Sequence, residues 1–195
     1  MGVRRRASYG ERRARCAAVG DPAVVLEAAL RFLEARRRSV AEVRRRLTDA
    51  GYREELVTTA IERLAELGIL DDDAFAAQWV ESRDRARPRG ERALRVELRQ
   101  KGVDPETIAR ALGQRDTPEG GGAEGAVSAD EVAAQRLLAR HAGGLRRIAD
   151  LRARRQRAYA TLARHGFAPE VCGSVVAAWL ADATGRTQEA GGTQE

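Results

Sequence analysis

The feature that most constrains this chain is a helix ending that occurs three times. A leucine, a glycine four residues later and an apolar residue directly after it stand at Leu47-Gly51-Tyr52, Leu98-Gly102-Val103 and Leu162-Gly166-Phe167. Glycine enters the left-handed conformation that terminates a helix without steric penalty, so each triplet reads as a helix stop. The leucines are 51 and then 64 residues apart, and the longer interval contains a glycine-rich stretch with Pro118 and Gly120 to Gly122. Self-similarity on this scale indicates internal repeats. A unit of about fifty residues buries little surface alone, so neighbouring units are expected to share cores.

Within each interval apolar residues recur at helical spacing. Asp21-Pro22 opens a helix carrying Leu26, Leu30 and Leu33, and Ser39 with Glu42 forms a capping box ahead of Val40, Val43 and Leu47. A third helix carries Leu56, Ala60, Leu64 and Leu67. Asp71, Asp72 and Asp73 then place negative charge at a new helix start, before Phe75 and Trp79. Leu94 and Leu98 mark the next helix, and Asp104-Pro105 opens another with Ile108, Ala111 and Leu112. Ser128 and Glu131 form a further capping box, followed by Leu137, Leu138, Tyr159, Leu162, Val171, Val175 and Trp179. The predicted fold is all-α: tandem three-helix, helix-turn-helix-like repeats at 21–70, 71–112 and 128–182. Residues 1–20 are expected to be a disordered basic tail, 113–127 a flexible acidic linker and 183–195 a disordered polar tail.

The composition agrees. Aromatic residues are 4% of the chain and hydrophobic residues 43%, which favours aliphatic helix packing over strands. Charged residues reach 33% with a net charge of +6, a balance that admits an anionic partner. Lys101 is the only lysine, so the basic residues are otherwise arginines. Cys16 and Cys172 form no disulfide framework, and no apolar run is long enough to span a bilayer, so a cytoplasmic protein is expected. Enzymatic signatures are missing. Lys101 is followed by Gly102 rather than Ser or Thr, which excludes a Walker phosphate loop. Gly120, Gly122 and Gly125 have dinucleotide-loop spacing but no preceding strand. His141 and His165 are the only histidines, and His165 reads as a helix-end cation. No catalytic, metal or cofactor site is expected.

The run from Leu67 to Ala76 (Leu-Gly-Ile-Leu-Asp-Asp-Asp-Ala-Phe-Ala) resembles the RecX family signature joining its first two repeats. Ser82-Arg83, Arg89-Gly90 and the run Leu98 to Val103 resemble the family's middle repeat. Arg38 to Glu42 with Leu47 and Gly51 resembles a helix of its first repeat, and Arg164 to Phe167 the end of a helix in its third. His165 stands where the family prefers arginine, and the linker is longer than the usual junction. The resemblance implies an elongated, curved array of repeats that binds the RecA recombinase, or its filament on single-stranded DNA, and modulates strand exchange and ATP hydrolysis, most often by inhibition. It implies a non-enzymatic monomer with no cofactor. The alternative reading is a helix-turn-helix transcriptional regulator, with Arg44, Arg45 and Arg46 on a recognition helix.

Candidate contacts follow from the placement of the basic residues. With Leu94 and Leu98 turned to the core, Arg92, Arg95 and Arg99 fall on one stripe at i, i+3 and i+7. The equivalent positions are Ala41, Arg44 and Thr48 in the first unit and Gln156, Tyr159 and Ala163 in the third. Arg85, Arg87 and Arg89 lie just upstream. These six arginines, with Lys101, Arg44 and Arg45, are the candidate contacts to RecA or to DNA phosphates, the latter weak, salt-sensitive and indifferent to sequence.

Overall fold

A computed structural model describes residues 8–115 and 127–189, with side chains to 182. Among the described residues there are ten helices and no strand. They are α1 (Tyr9–Ala17), α2 (Pro22–Glu34), α3 (Val40–Ala50), α4 (Glu54–Glu66), α5 (Asp72–Ala86), α6 (Glu91–Gln100), α7 (Pro105–Arg115), α8 (Ala129–Arg146), α9 (Leu151–Arg164) and α10 (Pro169–Glu189). The all-α repeat fold is as expected, with successive triplets α2–α4, α5–α7 and α8–α10.

Local chemistry sets the boundaries. The Ser39–Glu42 and Ser128–Glu131 capping boxes are both formed, each satisfying two otherwise orphaned donors. Asp21 accepts from Ala23 N–H, and Asp104 accepts from Glu106 and Thr107 N–H. The glycine stops are left-handed: φ is +102° at Gly51, +78° at Gly102 and +84° at Gly166. A fourth, Gly68 at +66°, ends α4 four residues after Leu64. The Leu-to-Gly spacing therefore marks helix ends generally, and the equivalence of the other three rests on their contacts.

The chain divides into two compact units, Met1–Ala76 with Arg99–Thr107, and Ala77–Leu98 with Ile108–Glu195. The first has a core of Val25, Ala29, Val43, Leu47, Val57, Ala60, Ile61, Leu64 and Leu70. The second centres on Ala134, Leu138, Leu145, Ala158, Leu162, Phe167, Cys172 and Val176. Leu94 and Leu98 of α6 are fully buried. Each contributes about 1.5–3 kcal/mol relative to exposure.

Residues 9–17 do not follow the expectation of a disordered tail. Ser8 and Glu11 form a third capping box, and α1 lies against α3. Nothing in α1 is buried. It is held by polar contacts, with Tyr9 Oη and Arg13 donating to the Asp49 carbonyl at 3.2 and 3.3 Å. An arginine-rich composition masks such a helix, because no apolar stripe announces it. At the other end, α10 continues to Glu189, past the expected boundary at 182. Residues 113–115 of the expected linker belong to α7. The rest of that linker, 116–126, together with 1–7 and 190–195, lies outside the described residues.

Candidate functional site

One junction occurs twice. In the first unit the Ser39 hydroxyl donates to the Lys101 carbonyl at 2.5 Å, and Val40 N–H donates to Asp72 at 2.9 Å. In the second unit Gly90 N–H donates to the His165 carbonyl at 3.0 Å, and Glu91 N–H donates to Asp130 at 3.1 Å. Ser39 and Gly90 are related by the 51-residue interval, Lys101 and His165 by the 64-residue interval. Each time, the residue before a left-handed glycine gives its carbonyl to the start of the preceding repeat's middle helix. An aspartate from the start of the following repeat caps that helix. The glycine is required sterically as well: a Cβ at Gly102 would collide with that of Ala41, and one at Gly166 with that of Ala93. The repeat is thus a physical rule of assembly.

Charge completes both junctions. In the first, Lys101 Nζ lies 2.7 Å from Glu42, whose carboxyl burial would push up but which Lys101, the Ser39 N–H and Arg36 hold below the usual range. In the second, the Arg115 side chain is only 6% exposed. It grips Asp84 with two hydrogen bonds of 2.8 and 2.7 Å, pairs with Asp130 and donates to the Arg89 carbonyl at 3.1 Å. Burial pushes the Asp130 carboxyl up, against the Glu91 N–H and Arg115. Bidentate arginine–carboxylate geometry is well suited to such a site.

The nine sequence candidates fare differently against this background. Lys101 is absorbed into the first junction. Arg44 pairs with Glu54 and donates to Thr58, Arg85 pairs with Glu81, and Arg95 with Glu91. Arg89 lies 3.5 Å from Glu97, which also holds Arg83 and the Trp79 indole N–H. Arg45, Arg87, Arg92 and Arg99 are exposed, with no ion pair among the described residues. On α6, therefore, the stripe keeps two free guanidiniums, Arg92 and Arg99, while Arg95 between them is neutralised within its own helix. Arg115, assigned to a linker by its neighbours in sequence, is the arginine that sequence reasoning missed. Its only advance signal was a helical run with Ile108, Ala111 and Leu112 that does not stop at 112.

His165 closes α9, its Nδ1 2.8 Å from the Thr161 carbonyl, a structural role. Among the described residues no group of three His, Cys, Asp or Glu side chains is placed to hold a metal ion. No helix of the described residues is long and apolar enough to cross a membrane.

Three-helix repeats joined by paired glycine and aspartate junctions define a helical-repeat protein whose exposed chemistry is arginine. Sequence relationships make this specific. Residues 26–64 match the family described as RecX, first three-helix domain, and residues 71–112 match RecX, second three-helix domain. A Regulatory protein RecX from Mycobacterium sp. (strain JLS) is 40% identical over 159 residues, 78% of this chain and 79% of the relative. One from Mycolicibacterium smegmatis is 47% identical over 87 residues, a match spanning 45% of this chain and 46% of that protein. A crystal structure of regulatory protein RecX aligns with a TM-score of 0.65 at 26% identity, covering 79% of this chain and 72% of that one. RecX from Lactobacillus salivarius, at 19% identity and a TM-score of 0.63, shares the fold over 80% of this chain and 94% of its own. The chain belongs to the RecX family of regulatory proteins.

Proposed function

We propose that this chain regulates the RecA recombinase, binding RecA or its filament on single-stranded DNA and lowering strand exchange and ATP turnover. It acts in the cytoplasm as a monomer, without a cofactor or chemistry of its own, and touches DNA directly only weakly. The observation that carries this reading is family membership over 159 residues at 40% identity. The α6 face supplies the proposed contact, because Arg92 and Arg99 are exposed without a carboxylate of their own among the described residues. Arginine in that state offers a planar fork to phosphate or to an acidic protein surface.

The helix-turn-helix regulator is less well supported. A recognition helix reads base edges with its N-terminal residues. In α3 that turn is occupied by Asp72 and the Lys101 carbonyl, in α6 by Asp130 and the His165 carbonyl.

Titrating the protein into RecA on single-stranded DNA should lower ATP turnover. The Arg92→Ala/Arg99→Ala variant should need about tenfold more protein for the same effect, a loss of about 1.4 kcal/mol of contact energy or more. Unchanged RecA turnover at stoichiometric parent protein would refute the regulatory reading. Full activity of the folded double variant would remove only the α6 contact.

A further inference from the structure

Ahead of α8, carboxylates neutralise several arginines of the second unit, Arg87 and Arg92 excepted. Arg83, Arg85, Arg89, Arg95 and Arg115 all meet an acid. From Arg136 to Arg164 no arginine lies within ion-pair distance of a carboxylate among the described residues. The acids nearest in sequence are committed elsewhere. Asp150 caps α9, accepting from Arg152 and Ala153 N–H, and Asp130 belongs to Arg115. Some of these arginines have structural work. Arg154 holds the α8–α9 turn by donating twice to the Ile148 carbonyl, and Arg140 donates to the carbonyls of Arg85 and Ala86. Arg146, Arg147 and Arg157 are exposed, and none has a side-chain hydrogen bond among the described residues.

A groove of about 640 Å³ lies between the C-terminal part of α8 and α9. Arg157 and Arg164 line it from α9, and Leu145 and Ile148 give it an apolar floor. Arg146 and Arg147 lie between those two floor residues in the chain. A groove lined by Arg157 and Arg164 over an aliphatic floor, with no carboxylate among its described lining residues, suits a ligand that alternates anions with flat apolar faces. A single-stranded polynucleotide does so: its phosphates meet arginines while its unstacked bases pack on apolar and aromatic side chains. A duplex would present phosphates alone, with its bases already stacked.

We propose that the α8–α9 groove binds a single-stranded polynucleotide, with phosphates on Arg146, Arg147 and Arg157 and bases against Leu145 and Ile148. This assigns the weak DNA contact of the regulatory reading to a surface separate from the α6 arginines, and rests on that part of the reading alone.

Fluorescence anisotropy with a labelled oligothymidylate, with RecA omitted, tests the assignment. Changing Arg146, Arg147 and Arg157 to Gln should weaken binding about tenfold or more. The slope of log affinity against log salt should shrink by about 2, because three phosphate contacts to a single strand contribute about 0.7 each. The corresponding Lys variant should recover most of the slope, and Arg157→Glu alone should weaken binding in the same direction. If the parent binds and the folded Gln variant binds equally, the groove assignment is wrong while the DNA contact stands. If the parent does not bind, the DNA contact and the groove fall together, and RecA turnover judges the regulatory reading separately. If the Gln variant keeps the oligonucleotide but loses its effect on RecA, the groove serves an acidic protein surface and the proposal is overturned.

Discussion

Asp72 shows how a single residue can serve an architecture at its own expense. Its carboxylate caps α3 through Val40 N–H, yet burial holds its pKa above the usual carboxylate range. Asp104, Asp71 and Asp73 push the same way, and the Val40 hydrogen bond opposes them. A carboxyl raised in the folded state binds more protons there than in the unfolded chain. Its contribution is fully present below the ordinary carboxylate pKa and is lost as pH rises through the folded value. Near neutrality, then, the charge is a liability and the hydrogen bond the asset. Asp72→Asn retains an oxygen for Val40 N–H and removes the charge. Urea unfolding should find this variant more stable than the parent at pH 7, with the difference shrinking as the pH falls into the carboxylate range. Lower stability at pH 7 would show that the negative charge at the start of α5 outweighs its burial. Glu42 behaves oppositely: its lowered pKa gives stability that is lost on acidification.

Helices are joined in the second unit by Arg115. From the last turn of α7 it reaches Asp84 on α5, Asp130 on α8 and the carbonyl of Arg89, just ahead of α6. Burial works against its charge, but the two carboxylates more than compensate and its pKa is raised. Removing one partner of a buried ionic cluster leaves the others uncompensated, which is far costlier than the net worth of the cluster. Arg115→Met should therefore destabilise the protein by about 3 kcal/mol, read as a lower urea midpoint with helicity otherwise intact. A loss under about 1 kcal/mol would mean that Asp84 and Asp130 find water or other partners. No local pattern marks this cluster, because Arg115 borders a glycine-rich run and the three groups it joins are 15 to 31 residues away.

At the scale of the molecule, the junction rule bears on what stops further assembly. Tandem repeats expose, at their terminal members, the surfaces that received their neighbours. In the first repeat the left-handed Gly51 is covered by α1, where a Cβ would come within 2.8 Å of the Arg13 carbonyl oxygen. In the third, α9 has 14 residues against 11 in α3 and 10 in α6, so the position equivalent to Gly90 lies inside the helix. There Arg154 N–H donates to the Asp150 carbonyl at 2.9 Å and is not available to another repeat. The chain should accordingly sediment as a monomer across the micromolar range. A concentration-dependent dimer would show that some other surface associates.

The sequence by itself determined the helices of the three repeats, the capping boxes at Ser39 and Ser128, the glycine stops and the all-α repeat class. These depend on residues three or four apart, within reach of local periodicity and backbone sterics. Its family signature at 67–76 was equally legible. Tertiary structure alone decided which basic side chains remain free. Lys101 meets Glu42 across 59 residues, Arg115 meets Asp84 across 31, and α1 is held by an Asp49 carbonyl 36 and 40 residues away. Whether a guanidinium faces solvent or a carboxylate depends on which distant segment folds beside it, and a uniformly arginine-rich sequence carries no local mark of that difference.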